Sequence, residues 1–224
     1  MGPALLVKRI RADFEANRNP VDAVPMAKYM LHKFPFFGIR APQCRALLKP
    51  LFIEAKPSIN EAFLHDAARA LFKLPEREYH HAAASLLNQF RATLTPVSVG
   101  LLRELIQKNS WWDTVDALSA QCVGAMVLRH TRLQGEMDAW AADTDFWIRR
   151  CAILHQLSYR EKTDIARLFE YCVANAADKE FFIRKAIGWA LRQYARTDAG
   201  AVVRFVAEHP ELSNLSKREA LKHC

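Results

Sequence analysis

Three stretches of this sequence carry aromatic, acidic and basic side chains at matching offsets. Counted from Trp112, Trp147 and Phe182, positions 0, 3, 4 and 7 of an α-helix fall on one face. The first stretch puts Trp112, Val115, Asp116 and Ser119 there, the second Trp147, Arg150, Cys151 and Leu154, and the third Phe182, Lys185, Ala186 and Trp189. Arg192, just past Trp189, extends the strip. Arg150, Lys185 and Arg192 suit phosphate oxygens, the arginines through two donors at once. The indole faces of Trp112 and Trp189 suit a flat or cationic ligand, because the ring quadrupole makes them electron-rich. Asp116 is the odd member. A carboxylate repels a polyanion, so it is either paired with a neighbouring arginine such as Arg150 or kept for a reaction that develops positive charge.

Each of these residues has a structural alternative. Indoles at helical spacing also build cores, and an arginine in a repeat also serves as a solvated ion-pair partner. Asp113 falls on another face, just after a helix start that Ser110 is expected to cap, and reads as a dipole-stabilising first-turn acid. The adjacent His80 and His81 diverge on a helix and have no third ligand, so no metal site is expected. No histidine or asparagine pattern supports a cysteine nucleophile.

Side chains so far apart in sequence need elements that bring them together, and the chain supplies these by repetition. FWIRRCA (146–152) and FFIRKAI (181–187) align without a gap at an interval of about 35 residues. The same interval leads back to Trp111; EYHHAAA (78–84) and SKREAL (216–221) extend the series in both directions. Ile183, Ile187, Leu191 and Tyr194 have the period of a buried helix face, and Val202 to Val206 supply a second apolar segment. Such helix pairs cannot bury their apolar faces singly, so the expected fold is all-α: a right-handed α-solenoid of HEAT-like repeats with a concave binding face. Breaks are expected at Asn19-Pro20, Pro35 to Gly38, Pro57, Pro75, Pro96 and His209-Pro210. None is long enough for a linker, so residues 1–224 are read as a single domain.

Composition narrows the function classes. With 7 glycines in 224 residues, a Gly-rich phosphate loop and a turn-rich β-fold are disfavoured. Five cysteines, Cys44, Cys122, Cys151, Cys172 and Cys224, form no CxxC pair and point to a reduced, intracellular protein. No apolar run reaches the roughly 20 residues of a membrane span, and MGPALLVKRIRADFE becomes charged too soon for a signal peptide. The net charge of +8 favours a polyanionic partner through counterion release.

The strings SWWDTVD (110–116), WIRRCAILHQL (147–157), KEFFIRKAIGWALRQYART (179–197) and LSKREALKH (215–223) closely resemble the bacterial DNA alkylation repair family of AlkD type. So do PMAKYM (25–30), FFGIRAPQCR (36–45) and LPEREYHHAA (74–83), in order along essentially the whole chain. The resemblance implies HEAT-like repeats and a monofunctional DNA glycosylase that removes N3- and N7-alkylated purines. It also implies that Asp116 is the catalytic carboxylate, flanked at the sugar by Trp112 and Trp189. Arg150 then binds phosphate, Tyr29 reaches the lesion site, and Arg192 contacts the DNA backbone; Lys185 joins the DNA-binding set by its place on the same strip. The partner implied is duplex DNA bearing alkylated purines, with no cofactor, no metal, a monomeric state and a bacterial cytoplasmic, nucleoid-associated location. Relatives often continue for another helix past the equivalent of Cys224, which bears on the last repeat more than on the chemistry. The resemblance further implies that the lesion stays stacked while the backbone is gripped, unlike most enzymes acting on duplex bases. The rival from another class is a non-catalytic HEAT-type module that binds duplex nucleic acid or an acidic protein. RNA recognition by one repeat per base is weaker, because equivalent positions carry no interchangeable polar code.

Overall fold

The computed structural model describes residues 1–222. His223 and Cys224, and with them the end of LSKREALKH and the expectation attached to the chain terminus, lie outside the described residues. Among the described residues there are helices and turns but no strand, so the all-α expectation of helical repeats is met. No helix among them is long and apolar enough to cross a membrane.

The chain divides into two compact units, Met1–Leu101 and Leu102–Cys224. The first contains α1 (Pro3–Ala16), α2 (Pro20–Tyr29), α3 (Ala41–Ala55), α4 (Glu61–Phe72) and α5 (Arg77–Gln89), and the division falls within α6 (Val99–Gln107). Local sequence starts these helices where expected. Asn19 caps α2 by accepting the N–H groups of Val21 and Asp22, and Pro20 occupies the first helical position, where its missing N–H costs nothing. The core of this unit includes Leu6, Ile10 and Phe14 of α1, Leu64 and Leu71 of α4, and Leu86 and Leu87 of α5, all fully buried. The Glu78 carboxylate is buried here too, accepting the N–H groups of Phe37, Gly38 and Ile39 at 3.1, 2.9 and 3.2 Å. Gly38 makes that turn with φ +89°, and a Cβ on it would lie 2.0 Å from the Asn19 carbonyl oxygen.

In the second unit follow α7 (Trp112–Ala117), a π-helical turn (Leu118–Val123), α8 (Gly124–Arg129), α9 (Gln134–Ala141), α10 (Phe146–Leu154), α11 (Ile165–Ala174), α12 (Phe181–Ala195), α13 (Ala199–Glu208) and α14 (Asn214–Ala220). Helix α10 packs on α7, α9 and α12, and α12 packs on α13 and α14. Ile183, Ile187 and Leu191 of α12 are fully buried, as their spacing predicts, and Val202, Phe205 and Val206 of α13 are buried against it. Burying each such side chain contributes about 1.5–3 kcal/mol, so the repeated apolar face is what makes stacking favourable. Capping differs from expectation at one place. The Ser110 hydroxyl donates back to the Ile106 carbonyl at 2.7 Å, and Trp111 takes the N-cap position of α7. Asp113 does lie in the first turn of α7.

The break between α7 and α8 is a π turn rather than a loop. Gly124 sits so close to the next segment that a Cβ there would lie 2.0 Å from the His155 carbonyl oxygen. The Tyr159 hydroxyl donates to the Gly124 carbonyl at 2.7 Å, and the Ser119 hydroxyl takes the Val115 carbonyl at 2.6 Å. Side-chain bonds of this last kind compete with the helical ladder and bend it.

Candidate functional site

A buried ion pair in the second unit joins Asp116 of α7 to Arg150 of α10. Arg150 Nε donates to Oδ1 at 2.7 Å and Nη2 donates to Oδ2 at 2.8 Å, a bidentate fork. A third donor, Nη1, goes to the Phe182 carbonyl at the start of α12, and the guanidinium carbon lies 5.8 Å from the Phe182 ring centroid. One arginine thereby ties three helices of the repeat to one carboxylate. Arg150 is buried, and the Asp116 side chain keeps 14% of its surface exposed. Burial pushes the Asp116 carboxyl up, the Arg150 guanidinium pulls it back, and Asp113 adds a small upward push; the balance lies above the ordinary aspartate value.

The exposed edge of Asp116 opens into a cavity of about 410 Å³ lined by Asp116, Ala117, Ala120, Gln121, Leu157, Ser158, Trp189 and Gln193. An acid, one indole face and three neutral polar side chains therefore share one space. Trp112, one turn before Asp116, is half-buried and lies outside this lining. Ala120 and Gln121 follow Asp116 and Ala117 at four-residue offsets and line the cavity with them, off the strip of positions 0, 3, 4 and 7 counted from Trp112. Gln193 lies one turn beyond Trp189 on α12, an offset that does signal a shared face.

Much of the proposed strip faces inward instead. Val115, Ser119, Cys151, Leu154 and Ala186 are fully buried, and Trp147 is buried in an aromatic cluster. Its ring centroid lies 5.9 Å from Trp111 and 4.9 Å from Phe182. These positions are core because each helix of a stack is covered on two sides by its neighbours. The remaining cations are engaged. Lys185 Nζ lies 3.1 Å from Glu219 Oε1, and Arg192 Nη1 lies 2.6 Å from Glu219 Oε2. Their two charges hold the Glu219 carboxyl below the usual glutamate value, and the three groups join α12 to α14.

Tyr29 ends α2 in the first unit and is 70% exposed. There it lines a cavity of about 430 Å³ with Met26, Met30, Phe36 and His81. His80 is buried, with Nε2 on the Leu74 carbonyl at 2.9 Å and Nδ1 on Arg77 at 3.1 Å, a structural role. Cys44, Cys122, Cys151 and Cys172 are buried and form no disulfide, and burial pushes the Cys44 and Cys151 thiols up to about 12, away from the thiolate a nucleophile needs.

A family model described as DNA alkylation repair enzyme matches residues 10–224. The chain belongs to that family. A solved structure titled "Predicted DNA alkylation repair enzyme from Enterococcus faecalis" is similar to it at 35% identity, covering 92% of this chain and 96% of that one, with a TM-score of 0.86. No curated protein matches. Family membership makes DNA the substrate, and places the Asp116 cavity in a member of a DNA repair family.

Proposed function

We propose that this protein is a monofunctional DNA glycosylase that hydrolyses the N-glycosidic bond of N3- and N7-alkylpurines in duplex DNA, the first step of base excision repair. The observation that carries the reading is the Asp116 carboxylate, anchored by Arg150 and opening beside Trp189 into one cavity. Ordinary glycosidases use two carboxyl groups, one of them to protonate the departing oxygen. An N3- or N7-alkylpurine is already cationic and departs neutral, so one acid suffices. In the reaction the C1′–N bond breaks with its electron pair going to the base, and water adds its oxygen to C1′. The proton that water sheds passes through Asp116 to solvent. Two of the four lone-pair sites on the carboxylate face Arg150, which leaves two for water and for the growing charge on the sugar. The indole face of Trp189 favours the same charge, and Trp112 is assigned the second flank. No cofactor or metal is needed for these steps.

Arg150, Lys185, Arg192 and Tyr29 are assigned to the DNA. Arg150 retains two of its five N–H groups for a phosphate after serving Asp116 and Phe182. Lys185 and Arg192 exchange Glu219 for phosphate on binding. The protein acts as a monomer and one functional domain, at the bacterial nucleoid, on a lesion that stays stacked. Selection then rests on the charge and weak bond of the lesion. In a discontinuous release assay the protein frees 7-methylguanine and 3-methyladenine from duplex DNA and leaves deoxyuridine intact. Release of uracil as fast as 7-methylguanine contradicts the charge argument, and release of neither leaves a non-catalytic DNA-binding module.

A further inference from the structure

The cations that sequence spacing singles out are all held by carboxylates or buried, but a short segment after α10 carries two that are not. Arg160 and Lys162 are exposed and have no ion-pair partner among the described residues; Glu161 between them is exposed as well. The segment is anchored rather than loose. The Tyr159 hydroxyl is fixed to the Gly124 carbonyl at 2.7 Å, and the Gln156 side-chain amide donates to the Asp164 carbonyl at 3.1 Å and accepts the Asp164 N–H at 2.8 Å across the base of the turn. Arg160 takes φ +54°, a left-handed conformation that a residue with a Cβ avoids. Thr163 holds it there, its hydroxyl and its N–H both donating to the Arg160 carbonyl, at 2.7 and 3.1 Å. The result is a rigid turn that displays a basic side chain.

Its position adds the second argument. Arg160 lines a small crevice with Leu157 and Gln193, and these two residues also line the cavity that holds Asp116 and Trp189. The crevice and the cavity therefore meet along a shared wall. The three other polar residues at that cavity, Gln121, Ser158 and Gln193, are neutral and suit water or a sugar rather than a phosphate. A DNA strand with its sugar at Asp116 needs neutralised phosphates on either side, and an unpaired arginine binds one without first giving up a carboxylate.

The geometry points to Arg160, with Lys162 beside it, as a DNA phosphate-binding site at the edge of the Asp116 cavity. This assignment rests on the glycosylase reading for its ligand and deepens it by naming a backbone contact outside the repeat strip. The test is a salt series of equilibrium binding to an unmodified duplex, together with base release from an N7-methylated duplex at limiting protein. Arg160→Gln is expected to reduce the slope of log K against log salt by about 1 and to slow release in proportion to lost affinity. Arg160→Lys restores the slope. Arg204→Gln, an exposed arginine on α13, leaves it unchanged. An unchanged slope in Arg160→Gln, or an equal loss in Arg204→Gln, overturns the site while leaving the glycosylase assignment intact. If the wild-type protein releases no base yet Arg160→Gln still loses slope, the phosphate site stands and the glycosylase reading falls. If it binds no duplex at all, both fall.

Discussion

Two carboxylates, one in each unit, are withdrawn from water in opposite ways. Glu78 is 1% exposed and spends its oxygens on three backbone N–H groups at 2.9–3.2 Å, closing the turn that contains Gly38. Asp116 is held by a side chain, Arg150, and keeps one edge open to a cavity of about 410 Å³. A carboxylate saturated by the backbone can only fix a fold. One held from behind by a guanidinium is oriented yet still has lone pairs for a substrate. On the proposed function, that difference is what separates the structural acid Glu78 from the acid assigned to the reaction, Asp116.

The contrast is sharpened first at Glu78. Glu78→Ala strands three buried N–H groups, each worth about 1–3 kcal/mol, so the first unit is expected to lose at least about 3 kcal/mol of stability in denaturant unfolding. Release activity per folded molecule is kept. A smaller effect tests the hold on Asp116. The proposed mechanism uses the ionised form, so the rate is expected to fall as pH drops through a carboxyl value that lies above the ordinary aspartate range. Arg150→Met removes the group that lowers it, and the acid limb of the single-turnover profile moves to higher pH. A limb that does not move means Asp116 is not the titrating acid.

Much of this could be read from the chain because stacking is periodic. The helix face of Ile183, Ile187 and Leu191 is legible since burial repeats with the helical turn. The pairing of Asp116 with Arg150 is one of two readings that the residues leave open, and the matching offsets of successive repeats put the two side chains on neighbouring helices. Three features were not legible. The π turn leads into Gly124, whose close approach to the His155 carbonyl is a contact between segments distant in sequence. Engagement of Lys185 and Arg192 depends on Glu219, which comes from a neighbouring helix. The turn around Arg160 is exposed and aperiodic, so it leaves no pattern. Sequence also misassigned the start of α7, where Ser110 bonds backward to Ile106 and leaves the cap to Trp111.

Single-turnover release of 7-methylguanine from duplex DNA by Asp116→Asn, at saturating protein, tests the central role of this acid most directly. Asparagine keeps the shape and removes the charge, so the rate should fall by about 10²–10³ while affinity for the duplex is largely retained. A variant that releases the base at the wild-type rate contradicts the account.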